Sequence, residues 1–271
     1  MRNWEQLENI VACPFTREPL RRLSETSVGT ASGHSFPLVN GVPILRHGPA
    51  AEIKDPNHVS NPVPPAFKEM MLTCPGKVLF LGAGASDFRD ERIIEVEYHL
   101  FRNTDVAADA HWLPFRAGVF KLVVALNVFE HLREPHIAAA ELHRVLAPGG
   151  RVIIHTAFLQ PLHEEPHHYY DATEFGVREW FRGFSNVEVN VSPNFNPYYG
   201  IAWLMYEMLH LVEAHLGPDA RRTLEGVTVS EIATGWAERR DPRSPVLDIL
   251  SKLPRDAQAR FAAGFELIAT R

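Results

Sequence analysis

Apolar residues in the middle of this chain come in short, nearly unbroken runs. VLFL at residues 78–81, IIEVE at 93–97, DVAA at 105–108, VFKLVVAL at 119–126 and RVIIHT at 151–156 each have the length and texture of a strand buried on both faces. Before the last run the spacing changes to that of a helix. Ala138, Leu142, Val145 and Leu146 share one helical face, opened by Glu134 and Pro135 and stopped by Pro148-Gly149-Gly150. Strands alternating with helical stretches predict an α/β fold around a mostly parallel sheet. Only residues 88–92 separate the first turn from the second strand, so any crossover helix there must be short.

The flanks read differently. Residues 11–48 break their apolar pieces with Pro, Gly and Ser, which predicts short strands and turns. Residues 49–65 hold Pro49, Pro56, Pro62, Pro64 and Pro65, too many for a helix, and residues 66–72 suit a short helix. The expected organisation is a β-rich segment over 1–49, a linker over 50–65 and a main domain over 66–271. Downstream, 187–191 alternates like an edge strand and 261–270 reads as a final strand. Residues 201–216 are apolar at helical spacing, with Glu207, His210 and Glu213 on a narrower polar face. Such a helix can cover the active site, form a homodimer surface or lie on a membrane. Packing as core or lid is favoured, because its polar face has no Lys or Arg for anionic lipid. Ser244 and Pro245 are placed as cap and first residue of a further helix through Leu253, within a helical insertion of about 201–253.

At 271 residues, 45% of them hydrophobic, the chain can bury one large domain plus an appendage. Its formal charge of -6 shows no basic excess, which favours small-molecule or protein substrates over nucleic acid. Two cysteines are too few for a disulfide framework, and the opening MRNWEQLENI has no basic leader or apolar signal core. Cytoplasmic residence is therefore expected. No apolar run approaches the roughly 20 residues of a membrane-spanning helix.

The chemistry gathers at the ends of the runs. Gly82 and Gly84 let the backbone turn beside a large ligand, Glu97 can accept bonds from both hydroxyls of a ribose, and Asp109 can hold an exocyclic amine in an apolar pocket. Taken in order, VLFLGAGAS, Glu97, DAHWLPF, FKLVVALNVFEHL and HRVLAPGGRVIIHT resemble the class I S-adenosylmethionine-dependent methyltransferases. The resemblance covers about residues 77–156. It implies a Rossmann-like seven-stranded sheet, mostly parallel with one antiparallel strand near its edge, and a small N-terminal β-rich appendage. It also implies S-adenosylmethionine above the strand ends, with Gly82, Ala83 and Gly84 against the methionine moiety. Glu97 would then hold the ribose and Asp109 with Ala110 the adenine, while Asn127 would lie beside the sulfonium. Two positions depart from the pattern: Phe80 stands where the family has an acid, and Ser86 replaces the last small glycine.

The N-terminal segment resembles a zinc ribbon that has lost its ligands. Cys13-Pro14 and the FPLVNGVPIL ending match, but Thr16, Gly29 and Ser32 stand where ligands belong, so no metal is expected. Residues 157–184, with His163, His167, His168, Tyr169, Tyr170 and Asp171, read as a substrate lid. They resemble a stretch of methyltransferases from sugar and polysaccharide pathways, which implies an oxygen acceptor. A base with a pKa near neutrality suits that reaction, and His131 and His163, with His168 behind them, are the catalytic candidates. The reading is a cytoplasmic O-methyltransferase for a small molecule or glycan. Its alternatives are an RNA methyltransferase and a non-catalytic, cofactor-binding partner protein.

Overall fold

The computed structural model describes residues 4–237 and 244–267. The chain divides into two compact units, Met1–Ala157 with Ala172–Val189, and Phe158–Asp171 with Asn190–Arg271.

The first unit starts with a short helix, α1 (Trp4–Leu7), followed by β1 (Arg21–Ser24), β2 (Ser27–Gly29), β3 (Ser35–Val39) and β4 (Val42–Leu45), paired antiparallel in sequence. After α2 (Pro65–Thr73) come β5 (Val78–Leu81), β6 (Ile93–Glu97), β7 (Val106–Ala108) and β8 (Phe120–Leu126). Helix α3 (Pro135–Val145), β9 (Leu146–His155) and α4 (Glu174–Trp180) complete it. The strands form one sheet in the order β1-β2-β3-β4-β7-β6-β5-β8-β9, parallel from β4 onward. Strand alternation sorts the core. Leu79 and Leu81 face the layer of Ala138, Ala139, Leu142 and Val145 from α3, while Val78 and Phe80 face Met71 of α2.

The Rossmann-like α/β arrangement is as the sequence predicts, with the strands differing in number and place. Among the described residues there are nine in one sheet rather than seven, because β4 adds to β7 in register, Ile44 beside Ala107 and Leu45 beside Ala108. No helix crosses from β5 to β6. Strand β9 begins at Leu146, ahead of the predicted start at 151, because Leu146 already pairs with Phe120. Residues 187–191 form no strand: the Val187 carbonyl, which a ladder would use, accepts from Arg178 Nη1 at 2.8 Å. Of the predicted final strand, residues 261–267 form no strand and residues 268–270 lie outside the described residues.

The second unit holds α5 (Pro197–Leu216), α6 (Pro218–Glu225), α7 (Val229–Ala237), α8 (Pro245–Leu250) and α9 (Arg255–Ala259) around Val212, Leu224, Ile249, Leu253 and Ala257. Asn196 Oδ1 caps α5 by accepting from Tyr198 N at 3.0 Å, and Ser244 Oγ caps α8 by accepting from Val246 N at 3.2 Å. Helix α8 stops at Leu250, short of the predicted Leu253. Glu207, expected on the polar face of α5, is buried and accepts from Arg260 Nε. No helix among the described residues is long and apolar enough to cross a membrane.

Candidate cofactor site

In a parallel sheet a ligand site forms at the carboxyl ends of the strands, where neighbouring connections leave in opposite directions. Here that point lies between β5 and β8. The loop after β5 turns on Gly82 at φ +68° and Gly84 at φ +59°, and Gly82 N donates back to Val96 O at 2.9 Å. A Cβ on Gly82 would run into Val128, and one on Gly84 into Ser60, so both positions need glycine for space as well as for conformation.

The rest of the loop is held from behind. Ser86 Oγ donates to the Glu95 carboxylate at 2.8 Å, while Asn103 Nδ2 donates to Ser86 Oγ at 3.0 Å and Arg102 Nε to Ser86 O at 3.1 Å. Glu95 lies beside Phe80 in the β5–β6 register, and side chains in register on parallel strands point to the same face. The acid missing from β5 thus has a counterpart one strand over. Burial pushes the Glu95 carboxyl up to about 8, against the opposing effects of the Ser86 bond and of Arg89. Phe80 itself is a core residue, buried and stacked on Phe88 with ring centres 6.2 Å apart.

Glu97 ends β6 and accepts from Gly84 N, linking the acid to the glycine loop. Burial pushes its carboxyl up to about 7, opposed by the Gly84 and Tyr98 N–H groups. Asp109 follows β7 and caps the turn Ala110–Trp112, accepting from His111 N at 2.9 Å and lying 2.5 Å from His111 Nδ1. Burial pushes Asp109 up, but the His111 bonds outweigh it and hold the carboxyl below its ordinary value. Ala83 and Ala110 are both buried. Across the switch point, Asn127 leaves β8 at φ +56°, a left-handed conformation that Asn tolerates better than most residues, and its N–H donates to His155 O at 3.0 Å. His131 follows in the turn Phe129–His131, which the buried Glu130 braces by accepting from Thr156 Oγ1 at 3.1 Å.

Gly82, Ala83, Gly84, Glu97, Asp109, Ala110 and Asn127 therefore occupy adjacent strand ends of the first unit. Carboxylates at two of those ends, beside a glycine turn with N–H donors, suit a nucleoside carrying an amino-acid chain. One loop donor is engaged by a residue the sequence did not single out: Ala85 N donates to Ser60 Oγ of the proline-rich linker at 2.9 Å.

His163 and His168 belong to the second unit. His163 Nδ1 lies 2.8 Å from Pro161 O, which can only accept, so in the neutral ring Nε2 carries the lone pair. His163 N donates to His168 Nδ1 at 3.3 Å, which puts the proton of neutral His168 on Nε2, 3.6 Å from Asp171 Oδ1. Burial, helped by His163, lowers the pKa of His168, and Asp171 opposes this.

Residues 85–154 match the methyltransferase domain family. That stretch is a methyltransferase domain. Over 98 residues it is 34% identical to the ubiquinone/menaquinone biosynthesis C-methyltransferase UbiE of Psychromonas ingrahamii, a stretch that covers 36% of each protein. The chain thus matches about a third of that relative's length. Among solved structures, the phosphoethanolamine N-methyltransferase 2 of Haemonchus contortus, in complex with S-adenosyl-L-methionine, is 17% identical with a TM-score of 0.36, over 64% of this chain and 47% of that one. The PH0226 protein of Pyrococcus horikoshii OT3 is 17% identical with a TM-score of 0.35, over 47% and 82%. The match to the methyltransferase domain family begins just past the glycine turn and ends inside β9.

Proposed function

We propose that the protein is an S-adenosylmethionine-dependent O-methyltransferase whose acceptor is a hydroxyl of a small molecule or glycan. The observation that carries this reading is the row formed by the Gly82–Gly84 loop, Glu97, Asp109 and Asn127 at adjacent strand ends. When bound, the cofactor supplies an electrophilic methyl group on a sulfonium. Glu97 accepts from the ribose hydroxyls and Asp109 from the adenine amine. With the acceptor hydroxyl held beside that methyl group, a neutral imidazole would take the hydroxyl proton as the oxygen receives the methyl. His131 and His163 are the proposed proton acceptors, with His168 behind them. The bond to Pro161 O supports His163, because it fixes the tautomer with a basic Nε2. The resemblance of the stretch after Ala157 to glycan-pathway enzymes supports an oxygen acceptor.

Transfer of a labelled methyl group to a panel of hydroxylated metabolites and oligosaccharides tests this reading. His131→Ala or His163→Ala should slow transfer by roughly 100-fold or more for whichever residue is the base. A protein that binds S-adenosylmethionine yet methylates no oxygen acceptor would exclude the oxygen assignment.

A further inference from the structure

Strand β4 lies outside the stretch that matches the methyltransferase domain family, yet it runs parallel to β7, and its carboxyl end comes out on the same side as the proposed cofactor site. Leu45 pairs with Ala108, so the next residues along, Arg46 and Asp109, leave the sheet side by side. Between them opens a cavity of about 370 Å³ lined by Phe15, Leu45, Arg46, His47, Asp109 and Trp112. That volume falls within the roughly 300–1,000 Å³ of small-molecule pockets.

The lining is specific. Phe15 and His47 stack at 4.0 Å with their planes 18° apart, giving a flat wall, and Trp112 adds a second aromatic surface. Arg46 is 7% exposed and is locked in place: Nε donates to Tyr98 O at 3.0 Å, Nη1 to Pro49 O at 2.9 Å, and the guanidinium lies 3.8 Å above the Tyr98 ring. Its Nη2 is buried and has no hydrogen-bond partner among the described residues. Arg46 lines the cavity, and a buried guanidinium nitrogen without a partner is costly, so a ligand that brings an acceptor beside Arg46 is favoured. Asp109 on the same lining is an acceptor held in its ionised form. A free phosphate would meet that carboxylate and is disfavoured. A flat heterocycle with ring-nitrogen acceptors and an exocyclic amine satisfies both groups and both aromatic walls.

We propose that Phe15, Arg46 and His47 of the N-terminal segment form the outer wall of the purine pocket, so that this segment is part of the cofactor site. The inference rests on the methyltransferase reading and extends it to residues outside the matched domain. Arg46 also bonds the carbonyl of Tyr98, the neighbour of Glu97, so one guanidinium spans the ribose and adenine ends of the pocket.

Calorimetry on the full chain tests the proposal with two probes, S-adenosylhomocysteine and methylthioadenosine, the second lacking the amino-acid end. Phe15→Ala, His47→Ala and Arg46→Lys should each weaken both probes by a similar factor, roughly tenfold, the scale of one base–aromatic contact. His47 is exposed, so its variant keeps the test valid if the Phe15 variant fails to fold. Wild-type protein that binds S-adenosylhomocysteine alongside variants that bind it equally well would overturn this proposal alone. A loss for S-adenosylhomocysteine without a loss for methylthioadenosine would overturn it too, by moving the effect to the amino-acid end. Wild-type protein that binds neither probe would overturn the methyltransferase reading and the pocket together.

Discussion

Glu95 and Glu97 are two residues apart on β6, share a face, and both hold their protons above the ordinary carboxylate range because burial penalises the charge. For Glu97 this has a functional sign. Burial pushes its carboxyl up to about 7, and in the proposed site ribose hydroxyls would donate to the ionised form. Affinity for S-adenosylhomocysteine should therefore rise as pH increases through 7 and level off above it. Glu97→Gln should bind more weakly with a flat profile, and calorimetry from pH 6 to 8 checks both. Stability runs the other way. A folded-state pKa above the unfolded value near 4.5 gives a contribution that is full below 4.5 and lost as pH rises through about 7. Phe80 shows what one sequence can hide. By motif it is a lost acid; in the fold it is a core residue beside Glu95, and the pairing that places the two side by side leaves no trace in local spacing.

Elements buried on both faces were the legible ones. Strands β5, β6 and β8 have no solvent face to dilute their apolar runs, and α3 announces itself by Ala138, Leu142 and Val145 at one helical spacing. The alternating stretch at 187–191 misled because alternation reports a half-buried chain whether or not a partner strand exists. Ser60, Phe15 and Arg46 went unread for a related reason: each sits in irregular or short-stranded sequence, and its meaning comes from residues at least 24 positions away, as with Ser60 and Gly84. Helix α3 braces the site as well as the core, since Glu141 Oε2 accepts from Leu113 N, in the turn after Asp109, at 2.8 Å. Leu142→Ala, deleting a fully buried side chain of that helix, should cost about 2–5 kcal/mol in denaturant unfolding. Below its transition the variant should keep its affinity for S-adenosylhomocysteine, because the substitution leaves the Glu141 carboxylate and its bond to Leu113 N in place.

Across the molecule, one sheet carries both the N-terminal strands and the cofactor strands, and the junction is the pairing of β4 with β7. Strand β7 is short, apolar and wholly buried in Val106, Ala107 and Ala108. Without β4 its backbone would lie open along the sheet margin, a template for pairing with another chain. The margin the protein presents instead is β1, four exposed residues that begin with Arg21 and Arg22. A short charged margin of that kind discourages edge-to-edge association. Removing residues 1–48 should therefore give a protein that self-associates with rising concentration, seen by light scattering, while the full chain does not. The N-terminal segment would then act as a guard against polymerisation, a duty that needs only a backbone in register and two arginines at the rim.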